Sequence, residues 1–405
     1  MRRRTFLKQA LAAFMAPGSF RGSQALAARP ITRGPKFHWY GYYDKLEFSP
    51  DNRYVLGVEV DFEDRVPGPN DAVKVGMVDL QDNDRWIELG ESRAWSWQQG
   101  PMLQWLPGSH SEILYNDRED DQFVARIVDV KTGKRRTLPS SIYTISPDGA
   151  WALTTDFARL RPETRYAPGR EIDLGVAPAD SGIWRIDMKT GARKLIISFE
   201  DVLKIPSPHC RWGRYLLHWL SHMQIAPDGS RFVFVHRWRD KDDRQILCTR
   251  FFSANADGSD LFLSSQILSA SHYAWRDPRT LLVWSWNPTH GEKFYLWEDK
   301  TDRISDFAPE VMTRNGHITY LRENRWILSD TYPDRDRNQH LYLYNVETGK
   351  AYSLGRYYTP PKYTGPVRCD LHPRASRDGR MVVFDSPHGG NGRQMYLVDV
   401  SSIVG

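Results

Sequence analysis

The chain has 405 residues, of which 26% are charged, 40% apolar and 13% aromatic, with 29 Gly, 25 Pro and 3 Cys. That aromatic and apolar content excludes a disordered chain, and three cysteines in this length exclude a disulfide scaffold. The formal net charge is +5, and four basic groups fall within the first eight residues. The remainder is nearly balanced, so no nucleic-acid partner is implied.

Residues 1–28 read as an address. Arg3-Arg4-Thr5-Phe6-Leu7-Lys8 matches a twin-arginine export signal, a short apolar stretch follows from Ala10 to Phe20, and Ala25-Leu26-Ala27 offers small residues for cleavage. The competing reading is a basic amphipathic helix. The apolar stretch is too short for a stable span, so no stable membrane anchor is expected. The expectation is a mature protein starting near Ala28, carried by the twin-arginine translocase to the periplasm or beyond.

Residues 29–405 are expected to form one domain. They show many short alternating runs, such as Tyr54–Val60 and Arg231–Val235. Two kinds of turn separate these runs. The first is Pro-Asp-Gly-like: Ser49-Pro50-Asp51-Asn52, Ser146-Pro147-Asp148-Gly149, Ala226-Pro227-Asp228-Gly229 and Ser376-Arg377-Asp378-Gly379. Degenerate copies stand at Leu106-Pro107-Gly108, Arg276-Asp277-Pro278 and Arg322-Glu323-Asn324. The second resembles Asp-x-x-Thr-Gly and starts at Asp79, Asp129, Asp187, Asn255, Glu298 and Asn345, with Asp399 closing the series. It recurs at intervals of roughly 43 to 68 residues, the length of a four-stranded blade or a little more. The pattern predicts an all-β, seven-bladed β-propeller, closed by pairing a last strand near 395–400 with an early strand. Two packed β-sandwiches are the alternative, but they do not account for a turn pair recurring along the chain.

Aligned on the first turn, four consecutive blades carry His in one slot at the start of the inner strand: His222, His272, His317 and His372. Lys45, beside Asp44, fills the slot in the first blade, and Tyr143 lies one residue off it in the third. A lone His is usually a structural one. Four in one slot of a ring converge on the channel mouth, and neutral imidazoles there suit Zn or Mn. Asp370 adds an oxygen ligand, and an imidazole off the metal is a natural general base. The expected rim loops carry Arg159, His236 and Arg237; Arg matches a carboxylate bidentately.

The chain resembles the oligogalacturonate lyase family and its relatives, the propeller-type ulvan lyases. Gly41-Tyr42-Tyr43-Asp44-Lys45, Trp97-Gln98-Gln99-Gly100, Ser221-His222, Ser271-His272-Tyr273-Ala274-Trp275, Gly316-His317 and Asp370-Leu371-His372-Pro373 carry the likeness. It implies a lyase that cleaves uronic-acid oligosaccharides by β-elimination. His222 would then be the base, and a divalent metal, usually Mn, would be held by His272 and the last-blade run. The family's Gln-x-x-His-x-His becomes Val367-Arg368-Cys369-Asp370-Leu371-His372 here. Asp370 thus replaces the first His and Val367 the Gln, while His317 compensates as a ligand. Tyr143 and Arg159 look more like the ulvan lyases, in which a Tyr and a His share the acid/base work and Arg neutralises the uronate. Lys45, His236 and Arg237 are the expected substrate contacts. Two other readings stand beside the lyase: a non-catalytic sugar- or peptidoglycan-binding propeller of TolB type, and a metal-dependent hydrolase. No Gly-x-Ser-x-Gly elbow supports a serine hydrolase.

Overall fold

The structure is a computed structural model that describes residues 26–160, 177–207, 216–239 and 248–405. The export signal Arg3–Lys8 and its apolar stretch lie outside the described residues. No helix among the described residues is long and apolar enough to cross a membrane.

Seven four-stranded antiparallel sheets follow one another in chain order. Blade 4 shows the plan. Leu217–Ile225 is the inner strand, and Arg231–Arg239, Cys248–Asn255 and Phe262–Leu263 follow outward. The Pro-Asp-Gly turns join each inner strand to the second, and the Asp-x-x-Thr-Gly turns join the third to the fourth in the first six blades. Their chemistry is local: Ser146 Oγ donates to Asp148 Oδ1, which also accepts the Ala150 N–H, and Gly149 takes φ +71°.

The seventh sheet is closed by the N-terminal end of the domain. Arg29–Pro30 pairs antiparallel with Gln394–Asp399, placing Arg29 opposite Leu397. This leaves no open seam between the first and last blades. A buried polar cluster reinforces the join. Arg374 donates from Nε to Glu47 Oε2 at 2.7 Å, from Nη2 to Asp385 Oδ2 at 3.3 Å, and from Nη1 to the Gly41 carbonyl at 3.1 Å. The last bond anchors the segment that carries Tyr42 and Tyr43 into the channel mouth. Apolar clusters fill the space between blades; one joins Val233, Val235 and Phe251 of blade 4 to Tyr273, Leu281 and Trp297 of blade 5.

Candidate active site at the channel mouth

The inner strands are interrupted where the site forms. In blade 4 the ladder to the second strand slips between Ser221 and Gln224, and His222 sits in this bulge at φ +54°. His372 lies just before its inner strand, Arg374–Ala375, at φ +42°. A non-glycine residue in this region costs about 1–3 kcal/mol, so the surroundings must hold it there. They do. The His222 N–H donates to Tyr143 Oη at 2.8 Å, and the Tyr273 hydroxyl donates to the His222 carbonyl. The His372 N–H donates to Asp330 Oδ2 at 3.2 Å.

His272 and His317 directly precede the inner strands Tyr273–Asp277 and Ile318–Tyr320. The rings converge as the shared slot requires: His272 to His317 at 4.3 Å and His317 to His372 at 4.1 Å between centroids. Tyr42, from blade 1, reaches across the channel to within 5.6 Å of the His222 ring and 5.3 Å of the His372 ring. Residues of blades 1, 4 and 7 thus meet on the axis.

His317, Asp370 and His372 form a compact donor set, with one ligand atom from each all within 4.8 Å of one another. The fit to a cation rests on chemistry as well as distance. His317 Nδ1 lies 2.9 Å from Asp330 Oδ2, and its Nε2 is buried with no hydrogen-bond partner; His372 Nε2 is likewise buried and unpartnered. A buried imidazole nitrogen without a partner is costly. A carboxylate that orients the other nitrogen is the usual support of a metal-binding His. Asp370 Oδ2 is 4.0 Å from His372 Nε2 and accepts from Arg368 Nε at 2.7 Å. His272 lies against this set but is not a member of it; its Nδ1 is 2.8 Å from Asn315 Oδ1. Gly316 allows the close approach, because a Cβ there would collide with the Asp330 carbonyl.

His222 occupies a different environment. Burial lowers its pKa to about 4; Asp44 opposes the shift, and Lys45 adds to it. It is therefore neutral at neutral pH. Lys45 is buried, ion-paired with Asp44 at 2.9 Å and placed 5.4 Å over the Tyr143 ring. Arg237 is half-buried and donates to the Ala270 carbonyl at 3.2 Å; burial lowers its pKa, and the Tyr42, Tyr273, Tyr143 and Tyr332 phenols oppose that shift.

Four sequence expectations change. His236 contacts no substrate surface: it is fully buried, with Nε2 2.9 Å from His218 Nδ1 and its ring 4.9 Å from Trp238. The reason is that 236–239 continues the second strand instead of forming a loop. Alternation then turns His236 into the blade, toward Arg250, and Arg237 to the opposite face. Tyr143 is also fully buried, and its hydroxyl accepts from the His222 N–H and from Gln99 Nε2 at 3.2 Å. Through the first of these bonds it positions the His222 backbone. Arg159 lies buried in the 3-10 turn Phe157–Leu160, 3.7 Å from Asp156 and over the Phe199 ring. That turn packs on the strand bearing His222, so Arg159 supports the site from behind. His222 itself stands inside a long strand, not at its start.

Asp330, Asn315, Arg368 and Tyr332 went unassigned in the sequence. Asp330 and Tyr332 stood in a charged run with nothing to separate them from solvated loop. Their roles depend on a fold that brings them beside histidines of other segments.

No protein-family model matches the chain, and no curated protein does. Solved structures are similar in fold. An oligogalacturonate lyase from Vibrio parahaemolyticus is 15% identical, with TM-score 0.65 over 95% of this chain and 96% of that one. An oligogalacturonate lyase in complex with manganese is 16% identical, with TM-score 0.65 over 95% and 97%. The propeller domain of the Trilobed protease from Pyrococcus furiosus is 11% identical, with TM-score 0.51 over 90% and 93%. At these identities the likeness is one of fold, and the fold serves proteins of different activity.

Proposed function

We infer that this protein is a polysaccharide lyase that cleaves uronate-containing oligosaccharides by β-elimination at the channel mouth. The observation that carries the reading is the division of one histidine ring into two chemistries: a neutral imidazole, His222, facing a His317–Asp370–His372 set with unpartnered buried nitrogens. Elimination needs both. The C5 proton of a uronate is weakly acidic until positive charge draws electrons into the carboxylate. A divalent metal held by His317, Asp370 and His372, with His272 beside them, supplies that charge when bound. Arg237 and Lys45 add fixed cations on the blade 4 and blade 1 sides. His222 takes the C5 proton. The fold likeness to an oligogalacturonate lyase that binds manganese supports this choice among propeller functions. Export by the twin-arginine route belongs to the same proposal; the disulfide at Cys248 suits an oxidising compartment.

The test is incubation of purified protein with oligogalacturonate, glucuronan and ulvan oligosaccharides, following the ultraviolet absorbance of C4–C5 unsaturated ends. One substrate is expected to give the signal, with loss on chelation and recovery with Mn. Binding to all three without any unsaturated product would assign the site to recognition instead of catalysis.

A further inference from the structure

Among the described residues, three large apolar side chains stand exposed: Trp286 at 45%, Val311 at 37% and Tyr358 at 48%. Single exposed apolar residues need no explanation, but these three share one place. Trp286 is near the end of the second strand of blade 5, Thr280–Asn287. Val311 lies in the segment that leads from blade 5 to His317. Tyr358 ends the outer strand of blade 6, opposite Asn338 and next to the loop that carries Tyr332. All three are therefore on the channel-mouth face, on the side of the ring that holds His272 and His317. The described turns of the opposite face expose none.

Trp286 is tied to the ring by its strand. The Trp284 N–H donates to the His272 carbonyl at 2.8 Å. Trp286 is two residues further on, about 7 Å along the strand and one strand spacing, about 5 Å, outward from His272. Its backbone is fixed: the Trp286 N–H donates to Ser269 Oγ at 3.1 Å, and Asn287 Nδ2 donates to the Gln266 carbonyl at 3.1 Å. Alternation puts its ring on the same side of the strand as Trp284, which is buried in a cluster with Phe294, Met312 and Ile318. Trp284 completes that cluster, and Trp286 stands beyond it, with a flat apolar ring in solvent on a rigid support. The surrounding rim is not positive. Glu292 lies directly across the strand pair, and Glu310 is exposed in the following segment. Charge would not draw an anionic chain here, so the ring face itself must make the contact.

Resting on the lyase reading, we propose that Trp286 is the stacking platform of an outlying sugar subsite, one that a neighbouring residue of the same oligosaccharide reaches from the histidine ring. The protein then prefers a chain long enough to extend over blade 5 to the shortest one that fills the ring. The C–H face of a pyranose covers the indole and buries apolar area without ordering a flexible side chain, which is where an aromatic platform gains affinity.

The experiment measures binding with turnover absent. In a His222→Ala background, calorimetry compares the dimer and the hexamer of galacturonate, or of whichever uronate polymer the wild type cleaves. Adding Trp286→Ala should weaken hexamer binding about tenfold and dimer binding less than about twofold. Trp286→Tyr should recover most of the loss. The hexamer loss should be the same at low and high salt, because stacking is not screened. With His222 in place, Trp286→Ala should raise KM for the hexamer and leave kcat and Tm as they were. Equal losses on dimer and hexamer, no loss on either, or no preference for length in the parent protein would each overturn the assignment. So would self-association that Trp286→Ala abolishes, since the patch would then be a contact between copies of the chain. A wild type that binds by length but yields no unsaturated product would remove the lyase reading and leave the subsite standing.

Discussion

His222 in blade 4 and His372 in blade 7 both stand at positive φ at the channel mouth, and burial lowers the pKa of both. Their holders differ. Two neutral tyrosine hydroxyls grip the backbone of His222, while Asp44 and Lys45 act on its ring in opposite senses. The backbone of His372 is held by the Asp330 carboxylate, its Nε2 lies 4.0 Å from Asp370, and Asp330 also fixes His317. The same backbone device therefore serves two ends. On the lyase reading, neutral holders leave His222 as the base, and anionic holders, with imidazoles converging on one point, make the place for a cation.

The largest effects should separate these halves. His222→Ala is expected to lower kcat about 10²–10⁴-fold with metal content unchanged, whereas His372→Ala should lose metal and activity together, both read by elemental analysis beside a rate assay. A smaller effect belongs to the support of the ligands. Asp330→Ala should weaken metal affinity about 10–100-fold, measured by competition with a chelating dye. Unchanged affinity would show that Asp330 serves the backbone alone.

On the base side, Tyr143→Phe removes one hydrogen bond from the strained His222 backbone. A penalty of about 1 kcal/mol is expected, a rate loss of about fivefold, with metal binding intact. A dead Tyr143→Phe enzyme would return that residue to an acid/base role. The pH dependence is smaller still. Neutral His222 is the active form, so kcat/KM should be level through neutral pH and fall as pH drops through about 4. Stability follows with the same sign. His222 and His388 both have folded pKa values of about 4, below the ordinary 6.5. Between those values the unfolded chain takes up protons that the folded chain refuses, so acidification across that window destabilises the fold. A Tm flat from neutral pH to about 4 would contradict these two shifts.

The turns were legible in the sequence because their chemistry is local. Ser146, Asp148 and Gly149 make a turn wherever they occur together, and repetition converts that into a blade count. The histidine slot was legible for the same reason: it is a fixed offset from a readable turn. What the slot did not reveal was which imidazole does what. That depends on Asp330, Asn315 and Tyr143, which meet the histidines only after the ring closes. The misplacement of His236 has a similar cause. Charged residues at 236–239 resemble a loop, yet the strand continues through them, and one step of alternation decides that Arg237 faces the site and His236 the core. The closing strand was expected near 395–400 and is Gln394–Asp399, paired with only two residues, Arg29–Pro30, too short a run to recognise beforehand.

The most direct test of elimination is the mass of the products formed from an oligouronate in water enriched with heavy oxygen. The account predicts two fragments whose masses sum to that of the substrate, one unsaturated and neither carrying solvent oxygen. Fragments whose masses sum to substrate plus one water, with heavy oxygen in one of them, would make the site a hydrolase and contradict the account.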